Sequence, residues 1–387
     1  MHANPVFAQL PTTIFTAMSA LAVRHQAVNL GQGFPDLDGP QAVRAEAARV
    51  LMEGPNQYPL MRGVPELRRA LAEHAKAYYG LAYDPESEVL VTSGATEALA
   101  DCILGLLAPG EEILLIEPHY DAYRPLAEAA GAAIKTIALH PPEWRLTQKA
   151  LQNAVTEKTR VILINTPVNP IGRVLDADEM DALARTVARS KAVVIADEVY
   201  EHLTFDGRKH IPLASLPGMR DRVVRIGSAG KIFSLTGWKV GWAMGPKALI
   251  DVIANVHQFV TFTTPPAQQF GVAHGLAHAM DFPEALKRRL EINRDVLANG
   301  LMELGFGILP SEGTYFLTAG IEGLSTQKDA AFCERMVKEA GVAAIPLSAF
   351  FPRGGPNSYV RFAFCKQLPV IEEALRRLRT WRPGAPI

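Results

Sequence analysis

Val193-Val-Ile-Ala-Asp197 is a run of four apolar residues closed by a carboxylate. A half-buried strand alternates apolar and polar side chains, whereas a strand covered on both faces reads as an unbroken apolar run. This run therefore predicts an inner strand of a parallel sheet with helices above and below it. The same texture recurs outward along the chain, at 88–92, 112–116, 133–139, 161–165, 192–197, 223–226 and 239–243, with helical stretches at 65–79, 96–107, 177–189, 247–259 and 284–304. Alternation of this kind predicts an α/β fold whose large domain holds a mostly parallel seven-stranded sheet sandwiched by helices.

After residue 304 the elements become short, at 307–309, 314–318, 329–340, 342–345, 359–364 and 369–381, and read as a smaller α+β domain. The first forty residues have no partner helix of their own and are expected to lie across that smaller domain, near the functional site. The predicted division is 1–45 as an N-terminal arm with part of the small domain, 46–282 as the large domain, and 283–387 as the small C-terminal domain.

Composition narrows the function. Of 387 residues, 48% are hydrophobic and 20% charged, as in a globular protein. The 39 basic and 40 acidic residues are interspersed and give a net charge of −1, which argues against nucleic acid as a partner. No apolar run approaches the roughly 18 residues of a membrane span. Met1-His-Ala-Asn-Pro-Val-Phe lacks the pattern of a secretory signal, so a cytoplasmic location is expected. Cys102, Cys333 and Cys365 are far apart in mostly apolar settings and read as buried thiols. His274 and His278 are spaced i, i+4, but without a neighbouring Glu or third ligand they read as helix surface or packing, and no metal site is expected.

The chemistry is carried by strand ends. Ile226-Gly-Ser-Ala-Gly-Lys231 puts a lysine in a Ser/Gly-rich turn just past a strand, where it can form a Schiff base with an aldehyde cofactor. Asp197 ends another strand and can hold a protonated ring nitrogen. Ser93-Gly-Ala-Thr96 follows a third strand and opens a helix, whose free N–H groups and Thr hydroxyl suit a phosphate. Two nucleotide motifs fail. Gly227-Ser-Ala-Gly-Lys-Ile232 has two residues between its glycines and Ile after Lys, unlike a Walker loop. Gly31-Gln-Gly33-Phe-Pro-Asp36 has Asp where a dinucleotide fingerprint has its third glycine, and no strand-to-helix crossover surrounds it. Asn165-Thr-Pro-Val-Asn169, Asp197-Glu-Val-Tyr200, Ser228-Ala-Gly-Lys231 and Thr236-Gly-Trp-Lys239 all begin at or shortly after strand ends, where open parallel sheets gather ligands. Their residue types fit a phosphorylated pyridine aldehyde.

These segments, with Leu10-Pro-Thr-Thr-Ile-Phe-Thr-Ala-Met-Ser-Ala-Leu21, Asn29-Leu-Gly-Gln-Gly-Phe-Pro-Asp36, Asn56-Gln-Tyr58, Thr236-Gly-Trp-Lys-Val-Gly241 and Glu312-Gly-Thr-Tyr-Phe316, make the chain resemble the pyridoxal-phosphate aminotransferases of fold type I, class I/II. The likeness covers nearly the whole chain and is strongest toward the methionine and kynurenine/glutamine transaminase branch. It implies pyridoxal 5′-phosphate as cofactor, with Lys231 as its covalent anchor and then the proton shuttle. It further implies Asp197 at the ring nitrogen, Asn169 and Tyr200 at the phenolic oxygen, and Tyr120 stacked on the ring. The phosphate would be held by Gly94, Ala95, Thr96, Ser228 and Lys239, the last a position where many relatives carry Arg. Arg361 would grip the substrate α-carboxylate, helped by Asn169 and the backbone around Gly33. Tyr58 would reach the phosphate of a neighbouring subunit in a homodimer with shared sites, Phe262 would likewise line the neighbouring subunit's substrate pocket, and Phe15 would line the substrate pocket. Kynurenine-type relatives carry His where Thr263 stands here.

The implied reaction moves the amino group of a neutral amino acid, methionine first and phenylalanine, histidine or glutamine next, to a 2-oxo acid by a ping-pong route. Rival readings are a cysteine-conjugate or cystathionine β-lyase on the same scaffold, a kynurenine–oxoglutarate transaminase, and a cofactor-binding regulator, for which no basic helix-turn-helix segment is visible.

Overall fold

The computed structural model describes residues 3–381. Its centre is a seven-stranded sheet in the order Val89–Ser93, Val240–Met244, Val223–Ser228, Val193–Asp197, Thr159–Asn165, Glu112–Glu117 and Ala133–Ala138. All neighbours are parallel except Val240–Met244, which runs antiparallel to both strands beside it. Every residue of Val193–Asp197 is buried, as its unbroken apolar run requires. The register then lines up the strand ends. Asn165 pairs with Asp197, Asp197 with Ile226, Ser228 with Gly241 and Ser93 with Val240.

The flanking helices follow from their apolar spacing and their caps. Pro65–Tyr79 starts with Pro in its first turn, buries Leu67, Leu71 and Ala75 along one face, and ends at Gly80 in the left-handed region. Ala177–Ala188 is opened by a capping box of Asp176 and Glu179. Gly94–Leu106 packs between the sheet and helix Lys247–Val260. Helices Gln41–Glu53 and Pro266–His278, which the strand-and-helix pattern did not separate, pack on each other. The His274 and His278 rings lie 4.8 Å apart on the second of these.

A second sheet joins Ile345–Pro346, Tyr359–Ala363, Phe316–Gly320 and Gly307–Ile308, all antiparallel. The expected strand 342–345 is two strands. Val342–Ala343 pairs with Val28–Asn29, while Ile345–Pro346 joins Tyr359–Ala363. The strand expected from 314 starts at Phe316, because Thr314 has φ +66° and cannot continue a ladder. The first forty residues correct the expectation of no partner helix: Ile14–Arg24 is helical, capped by Thr13, and buries Met18 and Ala22 beside the 342–346 strands. Cys102, Cys333 and Cys365 are free and buried. Among the described residues, no helix is long and apolar enough to cross a membrane.

Candidate active site

A cavity of about 250 Å³ opens beyond the carboxyl ends of the parallel strands. It is lined by Gly94, Ala95, Thr96, Tyr120, Asn169, Asp197, Tyr200, Ser228, Lys231 and Lys239, all singled out in the sequence, and by Asn165 and others. The order of the sheet explains the convergence. Each parallel strand delivers its last residue to one edge, and the single antiparallel strand delivers its first.

One end of the cavity is an anion cradle. Gly94 to Thr96 form the first turn of a 13-residue helix, whose opening N–H groups have no helical partner. Gly94 has φ +74°, and a Cβ there would come within 2.9 Å of Lys239 Nζ. Only glycine lets this amine approach the helix start. Behind the cradle, Glu97 accepts the Ser93 N–H, and its Oε1 lies 2.9 Å from His257 Nδ1. His257 Nε2 lies 3.1 Å from the Met61 carbonyl. With acceptors at both nitrogens His257 is an imidazolium; burial opposes that charge, but Glu97 outweighs it and raises its pKa. One turn on, Asp101 is fully buried, and neither carboxylate oxygen has a hydrogen-bond partner among the described residues. Burial and the neighbouring Glu97 charge push it up to about 7.

The floor is Asp197, 5% exposed. Tyr123 Oη donates to its Oδ2 at 2.5 Å, and Asn165 Nδ2 donates to its backbone carbonyl at 2.8 Å. Burial pushes its carboxyl up to about 6, against the lowering effect of the Tyr123 bond. Asn165 also accepts the Asn169 N–H at 2.7 Å, so one side chain sets the spacing of two cavity residues.

Lys231 lines the same cavity. Its Nζ donates to Tyr315 Oη at 2.6 Å, and that hydroxyl donates to the Gly33 carbonyl at 2.7 Å. A Cβ on Gly33 would meet the Phe316 ring at 2.5 Å, so the arm approaches this closely only as glycine. Burial pulls Lys231 down to about 8, within reach of a free amine near neutrality.

Arg361, Gly33, Phe15, Tyr58 and Phe262 do not line the cavity itself. The first three border it. Arg361, 1% exposed, donates from Nη1 to Asn169 Oδ1 at 3.2 Å and from Nη2 to the Gly31 carbonyl at 2.7 Å. Its guanidinium lies 4.0 Å from the Phe316 ring centre, 5.1 Å from Phe350 and 5.2 Å from Phe15. Its Nε finds no partner among the described residues, and burial lowers its pKa to about 10. Tyr58 and Phe262 pack edge to face, ring centres 5.3 Å apart, with Tyr58 81% exposed.

Tyr315, Tyr123 and Asn165 had no role in the sequence reading, although Tyr315 and Asn165 lie in stretches it quoted. Tyr315 and Tyr123 act on groups far away in the chain, and only the fold supplies those pairings.

This donor set fits pyridoxal phosphate. An amine and a buried carboxylate line one cavity, and a helix start with a lysine against it closes one end. The chain is also similar to known proteins. The family model for aminotransferase class I and II matches residues 25–378. A probable N-succinyldiaminopimelate aminotransferase of Mycobacterium tuberculosis is 47% identical over 95% of each chain. The methionine aminotransferase of Escherichia coli is 40% identical over 96% of each. The solved structure of the M. tuberculosis N-succinyldiaminopimelate aminotransferase superposes with a TM-score of 0.95 at 46% identity, covering 97% of this chain and 99% of that one. The chain therefore belongs to the class I and II aminotransferases, pyridoxal-phosphate-dependent enzymes of fold type I.

Proposed function

We propose that this aminotransferase takes its amino group from a neutral amino acid, methionine first, and passes it to a 2-oxo acid in two half-reactions. The observation that carries the substrate class is the setting of Arg361. One guanidinium supplies a fork for an α-carboxylate, and the rings of Phe15, Phe316 and Phe350 pack around it.

The roles proposed for the chain's own groups follow their positions. Gly94, Ala95, Thr96, Ser228 and Lys239 hold the cofactor phosphate, Tyr120 packs on its ring, and Asn169 and Tyr200 bond its phenolic oxygen. Asp197 keeps the ring nitrogen protonated, and Tyr123 and Asn165 position Asp197. When bound, the cofactor supplies an aldehyde carbon and an electron sink. Lys231 Nζ anchors it and, once freed, accepts the Cα proton of the substrate. Tyr315 holds that amine between turns by its hydrogen bond and ties it to the arm at Gly33. Arg361, with Asn169, orients the carboxylate and so decides which Cα bond faces the amine.

We further propose a homodimer with shared sites. Tyr58 and Phe262 belong to an apolar surface with Leu60, Phe259 and Val260, all of these but Phe262 more than half exposed, a pattern that marks an association surface. The proposed division remains 1–45, 46–282 and 283–387, of which 1–2 and 382–387 lie outside the described residues. Three unpaired thiols suit the proposed cytoplasmic location.

A second reading has support in the 47% identity to a probable N-succinyldiaminopimelate aminotransferase, an enzyme named for an acidic acyl amino acid. A spectroscopic screen of the amino acids together with N-succinyldiaminopimelate separates the two. Methionine bleaching the cofactor band fastest supports the first reading. N-succinyldiaminopimelate reacting while methionine stays silent replaces it. Pyruvate and ammonia formed without added 2-oxo acid would make the enzyme a β-lyase.

A further inference from the structure

Past Asp197 the chain continues Glu198-Val-Tyr-Glu201-His202, and the last two side chains do not line the cavity. They meet His74, which helix Pro65–Tyr79 brings in from 128 positions earlier. Nε2 of His74 lies 2.7 Å from Nε2 of His202. One nitrogen from each imidazole and one Glu201 carboxylate oxygen all fall within 4.8 Å of one another. The three residues are 7%, 8% and 6% exposed.

Two imidazole lone pairs cannot face each other at this distance unaided. A single proton between them satisfies the pair alone; a cation satisfies the pair and the carboxylate together. We propose that His74, Glu201 and His202 form a divalent transition-metal site, with zinc the ion best suited to two imidazoles and one carboxylate, and that the ion ties helix Pro65–Tyr79 to the segment following Asp197.

The outer groups hold the ligands in place. Arg225 Nη2 donates to Glu201 at 3.0 Å and Arg225 Nε donates to Glu198 at 2.5 Å, so its one positive charge faces two carboxylates. Two nitrogens sharing a tetrahedral zinc stand about 3.3 Å apart. The rings therefore need to part by only about half an ångström on loading. The way in is through Tyr78, 46% exposed, whose ring lies 4.7 Å from His74 and 4.9 Å from His202. A water can take the fourth position.

The test uses the holoenzyme, stripped with a chelator, loaded with zinc or cobalt(II) and dialysed against metal-free buffer. About one zinc per chain should remain, and the cobalt form should show the visible ligand-field band of a low-coordinate ion. His74→Gln and His202→Gln should each lower retained zinc at least about tenfold, because zinc that has lost a ligand loses affinity by at least that factor. Both should keep the cofactor absorbance that reports a native active site. Retention of no zinc by the unmodified enzyme overturns the proposal, and that result does not depend on either variant folding. Equal zinc in variants and unmodified enzyme overturns it as well.

Discussion

The cavity and the region bordering it, which the proposed roles make a cofactor wall and a substrate wall, are of different construction. The cofactor wall is made of strand ends from one sheet. Asn165, Asp197 and Ser228 hold their places because their strands are in register, and the bond from Tyr123 to Asp197 runs between buried partners. The substrate wall is made by the arm and the second sheet. Arg361 reaches back to the Gly31 carbonyl, 330 positions away, and Lys231 reaches the arm only through Tyr315. One wall is fixed by the geometry of a single sheet, the other by contacts between distant segments. A wall of the first kind suits a group common to all class I and II aminotransferases, and a wall of the second kind leaves room for substrates to differ.

If the walls are separable, substitutions should divide by wall. Lys231→Ala, at the junction, should have the largest effect. Turnover should fall at least about 10⁴-fold, because anchor and base are lost together, while cofactor remains bound without a covalent link. Gel filtration followed by absorbance checks retention, and full turnover would remove Lys231 from the mechanism. Arg361→Ala should lower kcat/KM for the amino acid by about 10³-fold, the loss of two charge-assisted hydrogen bonds. Cofactor affinity should change by less than about twofold; an equal loss of cofactor would break the separation of the walls. Tyr123→Phe removes one neutral donor from Asp197 and should lower kcat by about tenfold with KM for the amino acid unchanged. A shift in KM alone would place Tyr123 with the substrate wall.

Asp101 gives the smallest effect and a sign. Its carboxyl titrates at about 7 in the fold and near 3.9 unfolded, so the buried group carries no penalty below about pH 4. The penalty grows as pH rises toward 7 and is complete above it. Asp101→Asn should therefore melt about 3–6 °C above the parent protein at pH 8, with the gap closing at pH 4. A gap independent of pH would mean that the His257 imidazolium, 3.8 Å from one carboxylate oxygen, keeps Asp101 ionised throughout.

The same contrast explains what was legible in the sequence. Unbroken runs such as Val193–Asp197 announce the sheet, because burial on both faces leaves no polar positions. The residues that follow such runs announce the cofactor wall, because strand ends converge by topology. The helix Ile14–Arg24 was not visible, since its apolar stripe is short and its burial depends on strands from the other end of the chain. The roles of Tyr123 and Tyr315 were hidden for the same reason: a tyrosine in a motif does not show which distant group its hydroxyl will meet. The juxtaposition of His74 with His202 was hidden as well, because spacing along the chain cannot reveal two rings brought together from 128 positions apart.

The reversed strand Val240–Met244 has one more consequence. The chain leaves the sheet edge at Ser228, passes Lys231, and re-enters at the same edge after Lys239. Under the proposed roles, the covalent anchor and the phosphate cation are the two ends of one short loop clamped at both sides. That loop works as a gauge. The number of residues in it sets the length of cofactor the enzyme accepts, so inserting a single residue between Ile232 and Trp238 should disturb cofactor recognition while leaving every contacting side chain intact.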